Sequence, residues 1–63
     1  MPSSREIIAK LEAAGFRQVR QKGSHVVFRH ADSKRMVVVK HPTKDYPPGT
    51  LRSMERQSGI KLF

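Results

Sequence analysis

The chain has 63 residues and no cysteine, which limits it to one small domain over residues 1–63 and excludes disulfide bonds and thiolate metal sites. It carries 13 Lys and Arg residues against five acidic residues, for a net charge of +8, and no apolar run approaches the ~20 residues that span a bilayer. The charge predicts a polyanionic partner, nucleic acid first and an acidic protein second. The lack of cysteine and of a signal peptide favours the cytoplasm, with no membrane partner.

The first predicted element is a helix over residues 3–14. Ser3 and Glu6 have the spacing of a capping box, in which each side chain binds a backbone N–H group at the start of a helix. Apolar residues then recur at helical spacing, at Ile7, Ile8, Leu11 and Ala14. Gly15 is placed to end this helix, because glycine adopts a left-handed conformation at little cost.

Three strands are predicted next. Residues 16–21 form the first strand, although their alternation is poor, residues 24–30 form the second, and residues 36–40 form the third. In the second strand the residues expected on the core face are Val26, Phe28 and His30, and those expected on the other face are His25, Val27 and Arg29. If the turn holds the four residues 31–34, Phe28 pairs with Val37 and Lys40 lies opposite His25.

Residues 41–46 are predicted to form a loop, and Pro47 to Thr50 to open a second helix that ends at Gly59. Leu51 and Met54 should face the core. The apolar tail at Ile60 and Leu62 either folds back or meets a partner. The order α-β-β-β-α indicates an α+β fold, with a three-stranded antiparallel sheet and two helices on one face of it. The other face of the sheet is left exposed.

The acidic residues are scattered and favour no hard-metal site; they are Glu6, Glu12, Asp32, Asp45 and Glu55. His25 and His30 are an odd number of residues apart on one strand and should point to opposite faces, which argues against a shared zinc site. RNA cleavage needs no metal, because the substrate supplies its own nucleophile, the 2′-hydroxyl. Histidine can exchange the protons near neutral pH, and Lys and Arg can stabilise the charged phosphorane. We therefore expect no metal and no cofactor.

His25 is the candidate catalytic residue, and the residues expected to bind RNA phosphates are Lys22, Gly23, Ser24, Arg29 and Lys40. The alternative for the cations is a solvated basic face. His30 is expected to be structural. His41 starts a loop that could reach the face of His25, but a structural role is favoured for it as well. Asp45 is expected to shape that loop. Arg52 and Arg56 share a face of the second helix, where solvation and an acidic partner are both open.

The segment Gly23-Ser24-His25-Val26-Val27-Phe28, with Ile7 to Gly15 before it and Lys44 to Gly59 after it, resembles the HicA (YcfA-like) family of toxin mRNA interferases. The resemblance covers nearly the whole chain and includes Gly-Thr-Leu-Arg-Ser at residues 49–53. It implies a fold like a double-stranded RNA-binding domain, ribonuclease activity dependent on His25, and an acidic antitoxin of the HicB type that covers this surface. Members often carry proline where this chain has Lys40.

These observations predict a metal-independent endoribonuclease, the toxin component of a type II toxin–antitoxin system, with His25 as general acid or base. The free toxin is expected to be a monomer that forms a larger assembly with its antitoxin. A small RNA-binding module without catalytic activity is the alternative, because both would carry an exposed basic sheet. The sequence does not decide between single-stranded and double-stranded RNA, or between the acid and the base role of His25.

Overall fold

The computed structural model describes residues 2–63. Its elements are α1 (Ser4–Ala13), β1 (Phe16–Lys22), β2 (His25–His30), β3 (Met36–Lys40) and α2 (Pro48–Ser58). The strands form one antiparallel sheet in the order β1-β2-β3, and both helices pack on the same face of it. The predicted α+β architecture, like that of a double-stranded RNA-binding domain, is therefore confirmed.

The helix boundaries follow from their caps. Ser3 is the residue before α1, and its hydroxyl accepts a hydrogen bond from the Glu6 N–H group while the Glu6 carboxylate accepts one from the Ser3 N–H group. This confirms the capping box. The chain leaves α1 at Gly15, whose φ of +100° is strained for any residue with a side chain. Helix α2 begins at Pro48 and ends at Ser58, with Gly59 as its C-terminal cap, as predicted within a residue.

The core lies between the helices and the inner face of the sheet. It consists of Ile7, Leu11, Phe16, Val26, Phe28, Val37, Val39, Tyr46, Leu51, Met54 and Leu62. The tail folds back, since Leu62 is fully buried in this core. Its N–H group donates to the Glu55 carboxylate at 2.7 Å, and its carbonyl oxygen accepts from the Lys10 ammonium group at 3.3 Å.

The register between β2 and β3 is the predicted one. Phe28 pairs with Val37, and His25 pairs with Lys40. The four-residue turn that sets this register is closed by a 2.9 Å hydrogen bond from the His30 N–H group to the Arg35 carbonyl oxygen. Strand β2 begins at His25 rather than at Ser24, because Gly23 and Ser24 form the turn that connects it to β1.

Strand β1 contains a bulge at Val19. Gln18 pairs with Phe28, but Arg20 pairs with Val27, so one residue of β1 has no partner in β2. Beyond the bulge the side chains exchange faces, which explains the poor alternation in this segment. The strand also runs one residue further than predicted, to Lys22, which pairs with His25.

Candidate functional site

His25 lies on the sheet face that the helices leave uncovered, which we call the open face. It is exposed, at the first position of β2. Its cross-strand partners are Lys22 on β1 and Lys40 on β3, and both lysines are exposed. Directly paired residues project to the same side with Cβ atoms about 5 Å apart. His25 therefore lies between two lysines on the same side of the sheet, and we call these three residues the His25 row.

The remainder of the open face is basic and apolar. Val27 pairs with Arg20 and Val38, and it is only 7% exposed because it lies in the middle of the central strand. Met36 and Val38 are each 46% exposed. None of the three strands contains an acidic residue, so no carboxylate on the sheet offsets these positive charges.

Arg29 is on the open face but outside the His25 row. It pairs with Arg17 and Met36 near the other end of β2, four residues from His25. Four strand residues span about 13 Å. Arg29 is therefore not a neighbour of the His25 imidazole, and it is better placed to contact another phosphate of the same RNA.

The turn before β2 is fixed from two sides. Gly23 has a φ of +58°, and a Cβ atom built there would meet no atom within 4 Å, so only the backbone conformation requires glycine. Its carbonyl oxygen accepts a hydrogen bond from the Gln21 side chain at 3.0 Å. The Ser24 carbonyl oxygen accepts one from the His41 N–H group at 2.7 Å. The structure thus brings Gly23 and Ser24 together with the His25 row.

His30 has a structural role, as predicted. Its Nε2 atom lies 3.0 Å from the Ala14 carbonyl oxygen, and its Nδ1 atom accepts the N–H groups of Asp32 and Ser33. The ring also packs edge-on against Phe16, with centroids 5.1 Å apart. Both ring nitrogens are occupied on the core side of the sheet, opposite His25.

His41 belongs to a polar cluster that the sequence did not reveal. Its Nδ1 atom lies 2.7 Å from the Ser4 hydroxyl, which also accepts the Thr43 N–H group at 2.8 Å. The Thr43 and Tyr46 hydroxyls both donate to the Lys40 carbonyl oxygen at 2.7 Å. Ser4 and His41 are 37 residues apart, so no local pattern could have predicted their contact.

This cluster anchors the end of β3 that carries Lys40. Burial raises the pKa of the Tyr46 phenol above its ordinary value, and the Ser4 and Thr43 hydroxyls oppose that shift.

The sequence predicts that Asp45 shapes this loop. The side-chain hydrogen bonds described for residues 41–46 are formed by other residues of the loop, and none involves the Asp45 carboxylate. Ser4 itself is only 2% exposed, so its hydroxyl is not presented to a substrate.

Arg52 and Arg56 are both exposed on α2. Their exposure is compatible both with simple solvation and with contact to an acidic partner.

Within residues 2–63, no three His, Asp or Glu side chains are grouped as metal ligands would be. No helix in this part of the chain has the length and apolar character needed to cross a membrane.

The chain matches one family model, described as the HicA toxin of bacterial toxin–antitoxin systems, over residues 4–60. The matched segment contains both helices, all three strands, the turn at Gly23 and Ser24, and the complete His25 row. No curated protein matches the chain.

Proposed function

This chain belongs to the HicA toxin family of bacterial toxin–antitoxin systems, and from that premise we propose that it is a metal-independent endoribonuclease in which His25 is general acid or base. The observation that carries the proposal is the exposed His25 imidazole between Lys22 and Lys40, on a sheet without carboxylates. A histidine flanked by cations suits proton transfer at a phosphodiester, because its unperturbed pKa lies near neutral pH.

The proposed reaction uses the RNA 2′-hydroxyl as nucleophile. A base removes the hydroxyl proton while the oxygen attacks the adjacent phosphorus, and the bond from phosphorus to the 5′-oxygen breaks as an acid protonates that oxygen. The products are a 2′,3′-cyclic phosphate and a free 5′-hydroxyl. His25 performs one of the two proton transfers, and the Lys22 and Lys40 ammonium groups stabilise the negative charge on the phosphorane.

The open face also favours contact with the RNA backbone over contact with bases. Three of the four aromatic residues, Phe16, Phe28 and Tyr46, are buried in the core, and the fourth is the C-terminal Phe63. Bases therefore have no aromatic side chain on which to stack beside the His25 row. Contacts from Lys and Arg to phosphates are independent of sequence and strongly dependent on salt.

We further propose that the cognate antitoxin, of the HicB type, covers His25 through an acidic surface. Exposed Met36 and Val38 lie among the cations of the open face, so a partner with carboxylates around an apolar centre would complement it in charge and bury those side chains. Such a partner would block access of RNA to His25. The free toxin would then be a monomer and the inhibited toxin a larger assembly.

The proposal is tested by incubating the purified protein and its His25→Ala variant with a labelled RNA in the presence of EDTA. We expect the wild-type protein to release 5′-hydroxyl ends, and the variant to cleave about 10²–10⁴-fold more slowly. The variant should retain its melting temperature and most of its RNA affinity, because His25 is exposed.

Three outcomes would contradict the proposal. Inhibition by EDTA or products with 5′-phosphate ends would exclude the 2′-hydroxyl reaction. Undiminished cleavage by His25→Ala would exclude the role of His25. If the wild-type protein bound RNA but never cleaved it, the chain would be a binding module without catalytic activity.

A further inference from the structure

A cavity lies beside the His25 row, between the start of α1 and the loop after β3. Its volume is about 520 Å³, and it is open to solvent. This volume is within the range of small-molecule sites, roughly 300–1,000 Å³. It is lined by Ser3, Ser4, Arg5, His41, Pro42, Thr43 and Lys44. We call it the loop cavity.

The loop cavity combines an aromatic ring and an apolar ring with two cations. The His41 imidazole supplies a flat aromatic surface, the Pro42 ring supplies an apolar surface, and Arg5 and Lys44 are exposed positive charges. None of the five acidic side chains of the protein is among its lining residues. A planar group together with a negative charge is the ligand that such a lining complements.

The hydrogen bonds of the cluster hold the His41 ring in place. The ring is half-buried and its Nδ1 atom is engaged by the Ser4 hydroxyl, which is in turn bound by the Thr43 N–H group. Among the hydrogen bonds described for residues 2–63, none uses the Nε2 atom of His41. The cavity therefore has a fixed ring with one polar atom available to a ligand.

The loop cavity is linked to the His25 row through the backbone of His41. Lys40, the cross-strand partner of His25, directly precedes His41 in the chain. The His41 N–H group also donates to the carbonyl oxygen of Ser24, the residue before His25. From the spacing of paired strands and of consecutive Cα atoms, the Cα atoms of His25 and His41 are less than about 10 Å apart. At this separation, we expect the nucleotide next to one bound at His25 to reach the cavity.

We propose that the loop cavity binds one nucleotide of the RNA adjacent to the cleaved phosphodiester. Its base packs against the rings of His41 and Pro42, and its phosphate contacts Arg5 and Lys44. The inference rests on the proposed ribonuclease function. It places a base contact outside the open face, where the only exposed aromatic ring among the strand residues is the His25 imidazole, which is assigned to proton transfer. We therefore expect a base preference of the toxin to originate in this cavity.

The first test measures the affinity for a labelled single-stranded RNA of ten nucleotides, with all proteins carrying His25→Ala so that the RNA stays intact. Arg5→Gln with Lys44→Gln is compared with Arg52→Gln with Arg56→Gln, which removes the same charge from exposed positions on α2. We expect the cavity variant to bind about tenfold more weakly than its parent and to lose about one unit of salt slope per lost phosphate contact. An equal loss in the two double variants would overturn the proposal.

The second test does not depend on RNA cleavage. Adenosine 5′-monophosphate and inorganic phosphate are titrated separately into the ¹⁵N-labelled wild-type protein. The nucleotide should shift the amide signals of His41, Thr43 and Lys44 at lower concentration than phosphate does. Equal responses would exclude a base contact, and no response to either probe would exclude the site. A wild-type protein that responds to the nucleotide but never cleaves RNA would refute the ribonuclease function and leave the nucleotide site standing.

Discussion

The Nε2 atom of His30 lies 2.8 Å from the position that a Cβ atom would occupy at Gly15. The same nitrogen is 3.0 Å from the Ala14 carbonyl oxygen. The end of α1 and the end of β2 therefore meet at this histidine, and the space between them accommodates only a glycine. This contact fixes the helix on the sheet, and through β2 it supports the strand that begins with His25.

We expect Gly15→Ala to lower the free energy of unfolding by at least about 2 kcal/mol, because the methyl group would displace His30 and the positive φ is strained for alanine. Gly49→Ala is the matched control. A Cβ atom at Gly49, in the first turn of α2, meets nothing within 4 Å, so that variant should be neutral or more stable by up to about 1 kcal/mol. Urea denaturation followed by circular dichroism measures both, and coincident midpoints for the two variants would contradict this account.

Lys22→Gln and Lys40→Gln should each reduce RNA cleavage about tenfold, since each removes one of the two charges beside His25. Lys34→Gln is the control, because it removes the same charge from the exposed turn between β2 and β3. Initial rates at subsaturating RNA and fixed salt compare the three variants. If Lys34→Gln lowered the rate as much as the other two, net charge rather than the His25 row would govern cleavage.

Tyr46 should make the fold sensitive to alkaline pH. Burial raises the pKa of its phenol above the ordinary value of 10.0, so between the two pKa values the folded protein keeps a proton that the unfolded chain has released. The free energy of unfolding then falls as pH rises above about 10, and this contribution is fully present below that pH. Denaturation curves at a series of pH values should show a smaller alkaline loss for Tyr46→Phe than for the wild-type protein.

At neutral pH Tyr46→Phe should itself cost about 1 kcal/mol, because the phenol no longer donates to the Lys40 carbonyl oxygen. The comparison is therefore between the slopes of stability against pH, not between absolute stabilities. Lysines that titrate in the same range affect both proteins equally. Parallel curves above pH 10 would show that the Tyr46 phenol has the same pKa in the folded and unfolded chains.

Leu62→Ala should destabilise the protein by about 2–5 kcal/mol, the usual cost of truncating a fully buried leucine. For a domain of this size the melting temperature should fall by roughly 10 °C or more. Phe63→Ala is the control one residue later, where the side chain is 46% exposed and its loss should have little effect. A melting temperature unchanged in Leu62→Ala would mean that the tail does not complete the core in solution.

Local patterns predicted most of the fold. The capping box at Ser3 and Glu6, the glycines after both helices and the four-residue turn after His30 are short-range signals with few alternative conformations. The turn length also set the register that places Lys40 opposite His25. The sequence therefore predicted the part of the site that is formed by β2, the turn before it and β3.

Features that depend on contacts between residues far apart in the chain could not be predicted from the sequence. The bond between Ser4 and His41 joins the first helix to the loop after the last strand, and nothing near either residue indicates it. The burial of Leu62 was one of two alternatives, because an apolar tail has the same pattern whether it meets its own core or a partner. The catalytic role of His25 is a question of chemistry, and it stays a prediction until cleavage is measured.

The bulge at Val19 determines which face of the sheet Arg20 and Lys22 occupy. Before it, Phe16 and Gln18 share the core side with their partners His30 and Phe28; after it, Arg20 and Lys22 join Val27 and His25 on the other side. A regular strand with Val19 paired to Val27 would instead place Arg20 opposite Val26 and turn both cations to the core side. One unpaired residue, rather than the composition of the strand, therefore brings these two positive charges onto the face of His25.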